Sequence, residues 1–340
     1  MKRVLIVATS RKTRGGITSV IKAHEMGEQW KKYHCKWIET HRDGYTLRKI
    51  FYFIKAICQF ILLIPFYDII HVHIAAVERK IPFIFIAKLL RKKILVHLHV
   101  PDPQTSILSQ KKNLYGWCFK KANIVLVLSS QWKKLLTDTY HINNVIILYN
   151  PCPKVERKNL STKKEILYAG TITERKGYKD LLCAFSTIAK QHKDWYINFI
   201  GNGEIDKGIS LSNELQISNQ VHFKGWVQGK NKEKEFQEAA IYCLPSYAEG
   251  FPMGVLDAWA YGIPVICTPV GGLPDIIING KNCLIFEPGD IKGLTNNLLL
   301  LIENEDLRRK LHIASCKLAD EQFNILTINK QLDKIYSSLT

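Results

Sequence analysis

A chain of 340 residues with 46% hydrophobic and 23% charged side chains has enough sequence for two packed domains, and it is neither wholly disordered nor a small disulfide-stapled scaffold. Its formal charge of +18 is unevenly placed: residues 1–150 carry 25 basic and 8 acidic side chains, net +17, whereas 151–340 carry 23 and 22, net +1. One half therefore suits a polyanion, whether nucleic acid, an anionic membrane or an acidic substrate, and composition does not choose among them.

Val4-Leu5-Ile6-Val7-Ala8 stops at Thr9-Ser10-Arg11-Lys12, too short a run for a signal-peptide core, and the first strand is predicted at 3–7. The loop Thr13-Arg14-Gly15-Gly16-Ile17-Thr18 then opens a helix. Two glycines let backbone N–H groups approach a ligand and the helix start adds partial positive charge, a setting for phosphate. Plain turn chemistry is the alternative, and the G-x-G-x-x-G dinucleotide fingerprint is absent. Further strands are predicted at 35–38, 68–73, 94–99, 124–128 and 145–148. Between the second and third lies the apolar stretch 50–64, with Lys55 inside, Arg48 and Lys49 before it and Pro65 after it. It is shorter than the roughly 20 apolar residues that span a bilayer, so it reads as a buried or half-buried helix, or one that also dips into a membrane interface. His71-x-His73 and His97-x-His99 each put two imidazoles on one strand face, which allows a metal site or hydrogen-bonded strand-end histidines.

Pro151-Cys152-Pro153-Lys154-Val155-Glu156-Arg157-Lys158 continues neither a helix nor a strand easily, and a linker is expected over 151–163 between a first domain, 1–150, and a second, 164–323. Strands follow at 165–169, 196–200, 221–223, 241–244, 265–267 and 284–286, with helices near 178–190, 204–215, 232–239 and 254–261. From Ile291 onward the chain reads as helical, and 324–340 forms a C-terminal helix placed to pack back on the first domain. Strands alternating with helices define an α/β chain of two doubly wound, Rossmann-like domains facing across a cleft, with ligands at the carboxyl ends of the strands. Nine cysteines without a C-x-x-C pair, mostly in apolar segments, fit reduced thiols in the cytosol.

Two loops of the second domain carry chemistry. In Ala169-Gly170-Thr171-Ile172-Thr173-Glu174-Arg175-Lys176-Gly177, adjacent cations stand at a helix mouth and oppose its dipole unless an anion sits between them; a solvated basic turn is the alternative. In Glu249-Gly250-Phe251-Pro252-Met253-Gly254-Val255-Leu256-Asp257, the two carboxylates are two turns apart and about 80° apart in azimuth, so both can line one edge of a cleft. Glu249 can accept hydrogen bonds from sugar hydroxyls while N–H groups of the following turn face a phosphate. Helix capping by Glu249 and a surface Asp257 remain the bland reading.

Glu249-x7-Asp257, continued by Ala-x-Ala-Tyr-Gly-Ile-Pro-Val-Ile and by Gly271-Gly272-Leu273-Pro274-Asp275, resembles the retaining glycosyltransferases of family 4 with the two-domain GT-B fold. The likeness extends to Gly15-Gly16, Asp68-Ile-Ile-His71-Val-His73, Leu98-His99-Val100, Tyr149-Asn150-Pro151 and Gly170 with Lys176-Gly177. It implies transfer of a hexosyl or N-acetylhexosaminyl group from a nucleotide-diphosphate donor, a UDP-sugar in the first instance, held mainly by the second domain. The acceptor, a saccharide or lipid-linked sugar of cell-surface polysaccharide assembly, is held mainly by the first. By the same resemblance Glu249 contacts the donor-sugar hydroxyls and Asp257 stands for the glutamate that holds the ribose diol. Lys176 grips the diphosphate, the Gly15 and Gly16 amides lie near it, and His99 hydrogen-bonds the sugar near its reacting carbon. His99, Glu249 and Lys176 are thus the expected catalytic residues, and Thr171, Arg175, Gly250, Phe251, Pro252 and Met253 join the donor site. The resemblance implies no cofactor and no essential metal. Two positions depart from the pattern: Thr171 replaces an arginine found in many members, with Arg175 nearby to supply charge, and Asp257 is one methylene shorter than the usual glutamate.

The basic first half then has a partner in the anionic inner leaflet, where each cation near the surface adds about 1 kcal/mol. Arg91-Lys92-Lys93, Lys111-Lys112, Lys120-Lys121, Lys133-Lys134, Arg48, Lys49 and Lys55 are the candidates for a cytoplasmic, peripherally bound protein. Competing readings are a sugar-nucleotide epimerase of the same architecture, a binding-only relative, and a nucleic-acid-binding protein; the last lacks aromatic platforms or a recognition helix among its cations.

Overall fold

The computed structural model describes residues 2–42, 44–157 and 163–339. The chain divides into two compact units, Met1–Pro151 with Ile325–Thr340, and Cys152–Asn324.

The first unit holds β1 (Val4–Ala8), β2 (Lys36–Glu39), β3 (Ile69–Ile74), β4 (Lys93–Leu98), β5 (Ile124–Val127) and β6 (Val145–Ile147), all parallel, in the order β2-β1-β3-β4-β5-β6. Helices cover both faces of such a sheet, so its strands are apolar throughout instead of alternating. Every residue of β1 and β3 is buried. The helix Ile325–Ser338 belongs to this unit because it buries Ile328, Leu332 and Tyr336 against a core that includes Ile6, Ile69, Leu95 and Leu126. Polar contacts fix its register: His24 Nδ1 and Gln29 Nε2 lie 2.7 and 2.9 Å from Asn329 Oδ1.

The second unit holds β7 (Glu165–Ala169), β8 (Tyr196–Ile200), β9 (Val221–Phe223), β10 (Ile241–Leu244), β11 (Val265–Cys267) and β12 (Leu284–Ile285), also parallel, in the order β12-β11-β10-β7-β8-β9. Chain order reverses at the β7–β10 pair, where Ile241 lies opposite Ile166, and at the β1–β3 pair of the first unit. Loops leaving the carboxyl ends of such a pair diverge to opposite faces and leave a crevice between them.

Both sheets contain the strands expected from the sequence, with ends shifted by a residue at several of them. The helix expected over 178–190 ends at Ser186. There the Ser186 and Thr187 hydroxyls donate to the Cys183 and Ala184 carbonyls at 2.8 Å each, bonds that compete with helix continuation. Pro151–Arg157 of the expected linker forms neither helix nor strand, and Lys158–Thr162 lies outside the described residues. The apolar stretch at 50–64 forms the helix Thr46–Leu63, which fully buries only Ala56 and Phe60. Of the expected buried or half-buried helix only one face is covered: the inner face packs on β2 and the helix Ile81–Leu89, while an apolar outer face is exposed.

Candidate functional site

In the second unit the loops after β7 and β10 touch directly. Gly177 (φ +71°) sits so close to the Pro245 carbonyl that a Cβ there would lie 1.8 Å from its oxygen, so only glycine allows the approach. The Tyr247 amide donates to the Arg175 carbonyl at 2.8 Å, and the Arg175 guanidinium donates to the Ala248 carbonyl. These bonds lay Lys176 beside Glu249, and the two side chains form an ion pair, 15% and 7% exposed. Ser246 donates to the same carboxylate oxygen, Oε1, at 2.7 Å, and among the described residues Oε2 accepts no hydrogen bond. An ammonium has three donors, so the pair leaves Lys176 with two.

The helix Met253–Ala260 begins directly after this loop, with Pro252 at its N-cap and no side chain capping it. Its first N–H groups and those of Tyr178–Ser186, which likewise lacks a side-chain cap, add positive potential at the carboxyl ends of β10 and β7. Phe251 and Pro252 are buried, and the Phe251 ring packs 5.5 Å from that of Phe323. Gly250 accepts from the Gly272 amide at 2.7 Å, which anchors the turn to the Gly271-Gly272 segment. Met253 is half-buried, and Thr171 is exposed with its carbonyl accepting from the Tyr168 hydroxyl at 3.1 Å.

Asp257 is buried and pairs with Lys232 at 2.5 Å. Burial raises its carboxyl above the usual range, and the Lys232 ammonium opposes that rise. The phenol of Tyr242 is pushed far up by burial, and the charges of Asp257 and Glu249 push it the same way. Ser246, Lys232 and Tyr242 escaped the sequence reading. Lys232 sits in an unremarkable charged run, and its partner is 25 residues away.

In the first unit Gly15 (φ +138°) caps the helix Gly16–Glu25 at the carboxyl end of β1, again without a side-chain cap. His99 lies just past β4, with its Nε2 2.9 Å from His73 Nδ1. Burial lowers His99 to about 3, so it is a neutral hydrogen-bonding group. His73 is thus hydrogen-bonded as expected, but His97 is not: among the described residues both its ring nitrogens are buried without a partner, and its ring is 4.1 Å from that of His99 and 5.6 Å from that of His71. Nitrogens of His71, His73 and His97 lie within 4.8 Å of one another, a candidate cation group. The His71 ring stacks on those of His97 and His73, at interplanar angles of 9° and 28°, and the His73 and His97 rings are tilted by 36°. A cavity of about 870 Å³ lined by Lys164, Gln191, His192, Trp195 and Arg308 shares no residue with these groups and lies toward the amino ends of β7 and β8, the edge such sheets do not use for ligands.

The family described as Glycosyl transferases group 1 matches residues 153–318. An uncharacterized glycosyltransferase of Methanocaldococcus jannaschii is 30% identical over 255 residues, 72% of this chain and 68% of that protein. An uncharacterized glycosyltransferase of Haemophilus influenzae is 29% identical over 208 residues, 59% of this chain, and the match spans 57% of that relative's length. The lipopolysaccharide 1,6-galactosyltransferase of Salmonella typhimurium is 28% identical over 227 residues, 63% of this chain and 62% of that enzyme. Among solved structures, Anabaena HepE in complex with UDP and glucose superimposes with a TM-score of 0.80 at 16% identity, covering 99% of this chain and 100% of that one.

Proposed function

The chain belongs to the group 1 glycosyltransferases and has the GT-B fold, and from that premise we propose that it is a retaining enzyme of the family 4 type. The donor is a nucleoside-diphosphate sugar, by preference a UDP-sugar carrying a hexosyl or N-acetylhexosaminyl group. The acceptor is a saccharide or lipid-linked sugar of cell-surface polysaccharide assembly, assigned to the first unit. The lipopolysaccharide galactosyltransferase among the relatives supports the pathway, and the UDP and glucose bound to Anabaena HepE support the donor class.

The observation that carries this reading is the Lys176–Glu249 pair at the β7–β10 switch point, between two uncapped helix starts. Lys176 keeps two donors for phosphoryl oxygens, and Glu249 keeps Oε2 for a sugar hydroxyl. As the sugar C1–O bond breaks, negative charge builds on the departing phosphate oxygens, and Lys176, Arg175 and the loop N–H groups stabilise it there. The acceptor oxygen attacks from the same face, and its proton passes to the departing phosphate. No protein nucleophile is needed, so Glu249 and Asp257 are not a glycosidase acid and nucleophile. Asp257, paired with Lys232, accepts from the ribose diol. His99 is neutral and offers a hydrogen bond on the first unit.

Thermal unfolding with UDP-, GDP- and ADP-sugars tests the proposal. One donor at about 100 times its Kd should stabilise the chain by about 2.7 kcal/mol. Incubated without acceptor, that donor should return with its sugar unepimerised. Failure of every nucleotide sugar to raise the Tm would overturn the reading.

A further inference from the structure

The helix Thr46–Leu63 runs on into the turn Ile64–Phe66, and an 18-residue window of this stretch has mean hydropathy 1.7 yet is only 17% buried. Its length and composition would suffice to cross a membrane, but its inner face is already taken. Ala56, Phe60 and Ile64 are fully buried, and the Phe60 ring packs 5.1 Å from the buried Phe83. At 100° per residue, Leu47, Ile50, Phe51, Ile54, Ile61 and Leu62 fall within an arc of about 120° on the opposite side. All six are exposed, from 49% for Ile50 to 73% for Leu47. Soluble surfaces carry single exposed apolar side chains; six in one stripe are a contact surface.

Charge selects what covers it. Arg48 and Lys55 fall along one border of the stripe, and between Asp43 and Asp68 the sequence has no acidic residue. Lys92 donates to the Pro65 carbonyl at 3.1 Å, which brings Arg91-Lys92-Lys93 to the end of the stretch. Phe66, Leu89 and Leu90, all exposed, extend the apolar face there. A second copy of the chain docking on the same face would set these cations, which outnumber the nearby Asp68, against each other. An apolar stripe with a predominantly cationic border matches an anionic bilayer, where alkyl chains take the stripe and lipid phosphates take the cations. We propose that the outer face of Thr46–Leu63 lies in the plane of an anionic membrane, inserted to the depth of one helix face, and that it anchors the first unit there without crossing. This inference stands apart from the donor reading.

The test uses the full chain and two kinds of vesicle, phosphatidylcholine alone and phosphatidylcholine with about 30% phosphatidylglycerol. Co-sedimentation should be about tenfold or more stronger with the anionic vesicles and should weaken with salt. The variant Phe51→Ser/Ile54→Ser/Leu62→Ser should lose about tenfold or more of that binding with little change in Tm, because these side chains touch solvent in the free protein. Cys58, the exposed one of the nine cysteines, lies in the middle of the stripe and gives a reading that needs no folded variant. A polarity-sensitive label there should shift to the blue with anionic vesicles and be quenched by spin labels near the headgroups. No binding to anionic vesicles, undiminished binding by the triple variant, or a dimer that the triple variant dissociates would overturn the proposal. So would quenching at the bilayer centre, which would indicate a span.

Discussion

The Lys176–Glu249 pair settles a conflict that the local sequence poses. Two cations at the mouth of a helix are unfavourable alone, and the reading from residues 169–177 asked for an anion between them. In the free chain a carboxylate 73 residues away answers for one of them, and a carbonyl of the same distant loop holds the other. Long-range pairing of this kind has no local signature, which is why the motif was legible as a charge problem and its internal solution was not. Lys176→Ala should raise the donor Kd about tenfold to a hundredfold, measured by calorimetric titration, since a hydrogen bond to a charged group is worth about 1.5–3 kcal/mol. Glu249→Ala should lower kcat by about 10² or more in a transfer assay while far-UV circular dichroism stays that of the folded chain; full activity would refute its assignment. Gly177→Ala tests how closely the loops approach. A Cβ 1.8 Å from the Pro245 oxygen forces the loops apart, and urea unfolding should show a loss of about 3 kcal/mol or more.

Neighbouring strands β3 and β4 of the first unit create a different kind of group. Period-2 spacing put His71 with His73 and His97 with His99 on shared faces, and that much was legible; that the pairs would stack, with His97 left without a hydrogen bond, depended on register and on the C-terminal helix, whose Tyr336 hydroxyl lies 2.8 Å from His71 Nδ1. Burial holds His71, His73 and His97 well below the ordinary histidine range, lowers His99 to about 3 and His24 to about 4. In the unfolded chain these imidazoles return to about 6.5, so below that pH the unfolded state binds more protons and acid favours it. Their contribution is complete above pH 6.5 and is lost as the pH falls toward their folded values. His24 alone accounts for about 2 kcal/mol between pH 7 and pH 5, before most carboxylates protonate. Urea midpoints should therefore be level above pH 7 and fall steadily from 6.5 to 5; midpoints constant through that window would contradict the burial of neutral imidazoles. The helix Thr46–Leu63 shows the converse limit at this scale. Its sequence is apolar nearly all round, so no pattern could tell the face packed on β2 from the face left to the surroundings.

Over the whole molecule, two buried parallel sheets made the fold readable, because strands covered on both faces appear as short apolar runs such as Ile241-Tyr242-Cys243-Leu244 between helical segments. Topology then explains the site. The order reversal at β7–β10 opens one crevice in the second unit, and Arg175, Lys176, Ser246 and Glu249 all stand on the two loops that border it. The sequence could name three of these four; Ser246 entered only through its bond to Glu249. The most direct measurement is a crystal structure of the intact chain with its stabilising nucleotide sugar. The diphosphate should lie about 3 Å from Lys176 Nζ and from N–H groups at the start of Met253–Ala260, with a sugar hydroxyl on Glu249 Oε2. A donor bound instead in the cavity beside Trp195 and Arg308, with the β7 and β10 loops untouched, would contradict it.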